Sequence, residues 1–190
     1  MRNVTLLTQA LFAKQGEALA PVALPHTWNA LDGQDGGADY WRGIGTYQIE
    51  LPNPTAGKKQ YIELQGANHV ATVYCNGREL GTHKGGFSTF RYDLTAAMKP
   101  EGNVLTVVVS NAPSDVYPQN ADFTFYGGLY RDVNIVCVPE SHFDLSYYGC
   151  PGIHVTPVVE GKDAKATVEV WLTDRKEGQT VRYTLCNAEG

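Results

Sequence analysis

Val70-Ala71-Thr72-Val73-Tyr74-Cys75-Asn76-Gly77-Arg78-Glu79-Leu80 decides the fold class. Its apolar residues recur with period two, the repeat of a half-buried strand and not of a helix. Asn76-Gly77 then interrupts the run. Asn-Gly between two such runs predicts a two-residue hairpin, because a type I′ turn needs positive φ at both central positions. Working outward, Tyr61-Ile62-Glu63-Leu64-Gln65 places Ile62 and Leu64 on one face. Asn103-Val104-Leu105-Thr106-Val107-Val108-Val109 is too β-branched for a good helix. Thr46 to Leu51 and Val133 to Val138 read as further strands, each stopped by a proline. A single helical turn is expected at Asp93-Leu94-Thr95-Ala96-Ala97-Met98, cut by Pro100. The region up to residue 139 reads as an all-β sandwich of the jelly-roll kind.

Pro139-Glu140 marks a seam. Beyond it, strands are expected at 153–155, 166–172 and 180–185, with Asp174-Arg175-Lys176-Glu177-Gly178 as a polar turn. An immunoglobulin-like sandwich needs about seven strands. The expectation is therefore a jelly roll over 1–139 followed by a partial, truncated second sandwich over 140–190, the chain being a fragment of a longer protein.

The 190 residues carry 15 basic and 20 acidic side chains, a net charge of −5, and the composition is 43% hydrophobic and 18% charged. That balance argues against disorder and against nucleic acid as a main partner, since phosphate binding needs clustered Lys and Arg. No apolar run approaches the ~20 residues of a membrane span. The start lacks a signal-peptide core, so a cytoplasmic home is expected. Cys75, Cys137, Cys150 and Cys186 form no C-x-x-C pair, which leaves a zinc site unsupported. Cys75 and Cys137 fall inside apolar runs and read as buried free thiols.

Three segments could carry chemistry. Leu24-Pro25-His26-Thr27-Trp28-Asn29 and Tyr40-Trp41-Arg42-Gly43 combine aromatic rings with one fixed cation. Aromatic faces and planar hydrogen-bonding groups suit the C–H faces and hydroxyls of sugars. The alternative is a loop that plugs the end of the sandwich, with Arg42 bonding carbonyls. Asp32 and Asp35 do not have the D-x-D-x-D-G spacing of a calcium loop. In the second segment, His83-Lys84-Gly85-Gly86-Phe87, His83 and Lys84 could touch a ligand or a partner domain, with a solvated rim as the preferred reading. In the third, Asp122-Phe123-Thr124-Phe125-Tyr126-Gly127-Gly128-Leu129-Tyr130-Arg131-Asp132-Val133, a carboxylate sits among aromatics before a Gly-Gly bend. Arg131 and Asp132 are expected to form an internal ion pair.

Together these segments resemble the N-terminal region of glycoside hydrolase family 2, the β-galactosidase, β-glucuronidase and β-mannosidase group. The resemblance rests on Leu24 to Asn29, Arg42 to Tyr47, Val70 to Gly77, Gly81 to Phe87, Asn103 to Val109 and Gly127 to Val133, in the family's order. Gly152-Ile153-His154-Val155-Thr156 is a looser match to the start of the following domain.

The resemblance implies a galactose-binding-domain-like jelly roll, an immunoglobulin-like domain and a (β/α)8 barrel. Two barrel glutamates ~5–5.5 Å apart would perform retaining hydrolysis. No barrel of ~250 residues fits in this chain. No catalytic residue is therefore assigned here, and the chain alone is expected to be inactive. By the same resemblance Asp122 and Arg42 reach the sugar, and Asp122 is the position that can stand beside a sodium ion. Sodium and magnesium are implied for the longer enzyme, with none expected in this piece. A terminal β-galactoside is the expected substrate, with a β-glucuronidase or β-mannosidase parent as alternative, and homo-oligomers are expected of the parent. A self-standing carbohydrate-binding module and a sandwich serving adhesion or assembly are the competing readings. The unfinished second sandwich argues against the module, and the aromatic loops argue against the structural role.

Overall fold

A computed structural model describes residues 2–32, 39–119, 123–147 and 149–187. Every regular element among them is a β-strand. In chain order these are β1 (Asn3–Leu7), β2 (Gln9–Lys14), β3 (Ala20–Ala23), β4 (His26–Thr27), β5 (Ile44–Leu51), β6 (Lys58–Leu64), β7 (Val70–Cys75) and β8 (Arg78–Lys84). Then come β9 (Phe90–Asp93), β10 (Asn103–Ser110), β11 (Gly128–Leu129), β12 (Val133–Pro139), β13 (His142–Phe143), β14 (Ile153–Glu160), β15 (Asp163–Val170) and β16 (Leu172–Thr173).

Two antiparallel sheets supply the core. One has six strands in the order β3-β2-β5-β10-β7-β8, the other four in the order β1-β12-β6-β9. Strict alternation sends every second residue of the first sheet inward. Leu105 lies opposite Ile49 and Cys75, and Val107 opposite Tyr47 and Val73. All six are buried, and they meet Ile62, Leu64, Val133 and Ile135 from the second sheet. Removing these side chains from water drives the assembly, at ~25 cal/mol per Å² of apolar surface. The hairpin expected at Asn76-Gly77 is present, with φ of 52° and 81°. A bulge follows between Val73 and Tyr74, where Gly81 pairs with Val73 and passes over the Tyr92 ring.

Strands β6 and β12 are buried on both faces. Their outer face holds a second apolar cluster of Tyr61, Val136, Val138 and Leu145. Beside it lies a buried polar group. Arg91 Nε donates to Glu63 Oε2 at 2.6 Å, and Asn134 Nδ2 donates to Glu63 Oε1 at 3.1 Å. Arg91 Nη1 donates to the carbonyls of Leu145, Gly149 and Cys150 at 3.1, 2.8 and 3.1 Å. The chain after Pro139 thus caps the sheet it leaves. Burial by itself would raise the Glu63 carboxyl, but Arg91, Asn134 and Arg2 outweigh it and hold the group below its usual range.

The single turn expected at Asp93 to Met98 is present. Asp93 Oδ1 accepts from Thr95 N, and Leu94 O accepts from Ala97 N and Met98 N at 2.8 and 3.0 Å. Two other expectations are corrected. Residues 180–185 form no strand, because no neighbouring strand offers them a ladder, and Tyr183 and Leu185 are exposed. Arg131 does not pair with Asp132. Its Nη1 donates to Phe87 O at 2.8 Å and Gln65 O at 3.5 Å, while the guanidinium lies against the Tyr130 ring. Beyond Pro139 the strands form two separate antiparallel pairs, β13 with β16 and β14 with β15.

Candidate functional site

The loops before β5, after β10 and before β11 gather at one end of the sandwich, tied by two fully buried amides. Asn29 Nδ2 donates to Asp32 Oδ2 at 2.8 Å and to Trp41 O at 2.9 Å. Its Oδ1 accepts from Gly127 N at 2.8 Å and from Asn111 Nδ2 at 3.1 Å. Asn111 Oδ1 accepts from Gly43 N at 2.8 Å. Asp32 Oδ2 also accepts from Trp41 N at 2.9 Å. One asparagine pair therefore registers three loops against each other. Gly127 is required there, since a Cβ would strike the Trp28 ring and the Asn111 amide.

The aromatic residues of 24–47 are a plug and not a platform. Phe12 stacks on Trp28 at 5.6 Å, Trp41 meets Trp28 edge-on at 5.6 Å, and Phe12 lies 4.7 Å from the His26 and Tyr47 rings. His26 Nδ1 and the Tyr47 hydroxyl share a 2.8 Å hydrogen bond. Burial holds His26 below the usual histidine range. The exposed rings lie elsewhere. Phe87, Phe123 and Tyr126 face solvent, and Tyr117 stacks between Phe87 at 5.8 Å and Phe125 at 6.0 Å. Sequence reasoning grouped Phe123 and Tyr126 with the third segment. It gave Tyr117 no role of its own, and the structure shows its hydroxyl donating to Asn68 Oδ1.

Arg42 stands between these two zones. Its Nη2 donates to the Tyr40 hydroxyl and to Gln119 O at 3.2 Å, and the guanidinium lies 4.6 Å from the Tyr40 ring centre. The carbonyl-bonding role expected of Arg42 is present. Five N–H donors are available on a guanidinium, and among the described residues Nε and Nη1 have no hydrogen-bond partner. Beneath Arg42 sits His69, fully buried. Gln119 Nε2 donates to its Nδ1 at 3.0 Å, and Ser114 Oγ lies 2.9 Å from its Nε2. Burial, and then the Arg42 charge, hold His69 below the usual range. Asp122, the other expected sugar ligand, lies outside the described residues, and the sodium expectation lies there with it. His83 is not a solvated rim residue. Its ring stacks on Phe90 at 4.1 Å, and burial lowers its pKa, while Lys84 is exposed.

Residues 21–139 match the family model for the sugar binding domain of the glycosyl hydrolases family 2. The chain belongs to this family. Family 2 likeness extends past the matched residues. A β-glucuronidase of Bacteroides fragilis is 35% identical over 174 residues, 89% of this chain and 25% of the relative. A β-galactosidase of Bacteroides ovatus is 34% identical over 182 residues, covering 88% of this chain and 20% of the relative. Among solved structures, an FMN-binding β-glucuronidase from Faecalibacterium prausnitzii L2-6 superposes with a TM-score of 0.83 at 43% identity, covering 93% of this chain and 29% of that one. The chain thus spans a fifth to under a third of the length of these relatives.

Proposed function

We propose that the chain is the non-catalytic N-terminal part of a retaining family 2 exo-β-glycosidase, and that the longer enzyme cleaves terminal β-glucuronides. One observation carries the sugar class: the 43% identity to a β-glucuronidase over 93% of the chain. A β-galactosidase parent is the second reading, favoured by the 34% identity over 182 residues to the Bacteroides ovatus enzyme. In either case the chain's work is the same. The Asn29–Asn111 brace fixes the loop end, Arg42 offers its remaining donors to sugar oxygens, and the exposed rings of Phe87, Phe123 and Tyr126 meet the sugar or the barrel. Asp122 completes this reading as an acceptor for sugar hydroxyls; in the β-galactosidase reading it would also be the residue to hold a sodium ion, and any magnesium would belong to the rest of the longer enzyme. The two barrel glutamates supply the chemistry.

The test is hydrolysis by the longer protein of paired p-nitrophenyl β-glycosides. A kcat/KM at least tenfold higher for the glucuronide than for the galactoside is expected, and the reverse order would install the galactosidase reading. Asp122→Ala in that protein should lower kcat/KM at least tenfold, about 1.4 kcal/mol of transition-state binding. Unchanged efficiency in a folded variant removes Asp122 from the site. The 190-residue chain alone should turn over neither substrate, and it should bind the free sugars too weakly for calorimetric titration. Micromolar binding would promote the self-standing module.

A further inference from the structure

The contacts of His69 reach past its own burial. The ring joins two elements of the loop end that are far apart in sequence, the stretch before β7 and the loop after β10. Ser114 Oγ accepts from Val116 N at 3.2 Å and stands 2.9 Å from His69 Nε2. Gln119 Nε2 lies 3.0 Å from Nδ1 and 3.2 Å from Nε2. The shorter amide contact, at Nδ1, and the 2.9 Å hydroxyl contact at Nε2 together fit a neutral imidazole with its proton on Nε2, accepting from Gln119 and donating to Ser114. Gln119 is 8% exposed, and its Oε1 is buried with no hydrogen-bond partner among the described residues. A buried amide acceptor left unpaired costs about 1–3 kcal/mol, so the arrangement has an alternative waiting. Gln119's own carbonyl holds Arg42 Nη2 at 3.2 Å.

We propose that His69 is a positioning residue for Arg42: as a neutral ring it fixes Gln119, whose carbonyl seats the guanidinium, and its protonation unseats Arg42 at acid pH. The chemistry is a redistribution of donors and charge. A proton on Nδ1 faces the Gln119 amide nitrogen, donor against donor. Rotation of the amide by half a turn brings the unpaired Oε1 to the new N–H and satisfies both groups. The imidazolium then stands beside a guanidinium in a water-poor setting, where like charges repel strongly. Among the described residues, Arg42, from the loop before β5, is the charged group whose field reaches His69. Ser114, Tyr117 and Gln119 face the ring from the loop after β10, with the Tyr117 ring 5.4 Å away. Two backbone hydrogen bonds fix the residue itself: His69 N donates to Ser110 O, and Gly85 N donates to His69 O.

This inference rests on the proposed sugar-facing role of Arg42 for its kinetic consequence only, and the experiment separates the two. In the 190-residue chain, two-dimensional NMR of the imidazole nitrogens should show His69 as the neutral Nε2–H tautomer at pH 7, titrating below 6.5. Arg42→Gln should raise that midpoint. An ordinary midpoint in the native chain, or one that Arg42→Gln does not move, overturns the proposal whatever the enzyme does. In the longer protein, KM for its preferred aryl β-glycoside should rise several-fold between pH 7.5 and 5.5 with kcat little changed. His69→Gln, which keeps an amide in the cavity but cannot take up a proton, should flatten that rise. A pH-dependent KM that persists in folded His69→Gln also overturns the proposal. Absence of any glycosidase activity defeats the proposed function and leaves the NMR midpoints to decide the positioning role.

Discussion

At the scale of single residues, the loop end depends on side-chain amides more than on the aromatic rings around them. Asn29 and Asn111 are both fully buried, and each uses donors and acceptor on partners from other loops. Asn111→Ala removes bonds to Gly43 N, Trp41 O and Asn29 Oδ1; Trp41 O keeps Asn29 Nδ2 and Asn29 Oδ1 keeps Gly127 N, so Gly43 N is the group that loses its acceptor. The expected loss is about 3 kcal/mol, read as a lower urea midpoint. A loss under about 0.5 kcal/mol would show that water replaces the amide. The carbonyl-bonding role of Arg42 was legible in the sequence, because a lone cation in an aromatic loop needs acceptors, and Gln119 O supplies one. Asn111, His69 and Gln119 were not legible. Their partners lie 45 to 82 residues away, and the order of strands across a sheet cannot be read from spacing.

Elements differ in what surrounds them. Strands β5, β7 and β10 were readable because alternation reports one buried face. The continuous apolar run of β12 reported burial on both faces. The first three strands went unread, since β1 and β3 lie at sheet edges and expose most of their residues. The β14–β15 hairpin is the opposite extreme. One face pairs Ile153 with Val170, Val155 with Val168, Pro157 with Ala166 and Val159 with Ala164. The other pairs His154 with Glu169 and Thr156 with Thr167. Yet Val155 and Val159 are 52% and 72% exposed. Val107→Ala, in the middle of β10 and fully buried, should cost about 2–3 kcal/mol. Val159→Ser in the hairpin should cost under about 0.5 kcal/mol in the same denaturation assay. Equal costs would mean that the hairpin's apolar face is covered in solution.

For the whole molecule, the buried histidines set the response to acid. His26, His69 and His83 are each held below 6.5, first by burial. The unfolded chain then binds protons that the folded one refuses, so stability falls as pH drops below 6.5. Glu63, held below 4.5, adds stability that is present above 4.5 and lost as pH falls through its lowered value. Tyr61, pushed up to about 12 by burial and by the charges of Asp93, Asp144 and Asp174, keeps its proton in the folded chain, so stability also declines above pH 10. Urea midpoints measured from pH 8 to pH 4 should therefore fall in two stages, one in the histidine range and one below 4.5. A flat profile between pH 8 and 5.5 would contradict the first stage. The Arg91 contacts carry a last consequence, for anyone cutting this protein into pieces. The family match stops at residue 139, but the three carbonyls that hold Arg91 belong to residues 145, 149 and 150. An expression boundary drawn after Pro139 would strip Leu145 from Tyr61 and Val138 and leave a guanidinium stranded on a bare sheet. The natural place to cut lies beyond the segment that covers it.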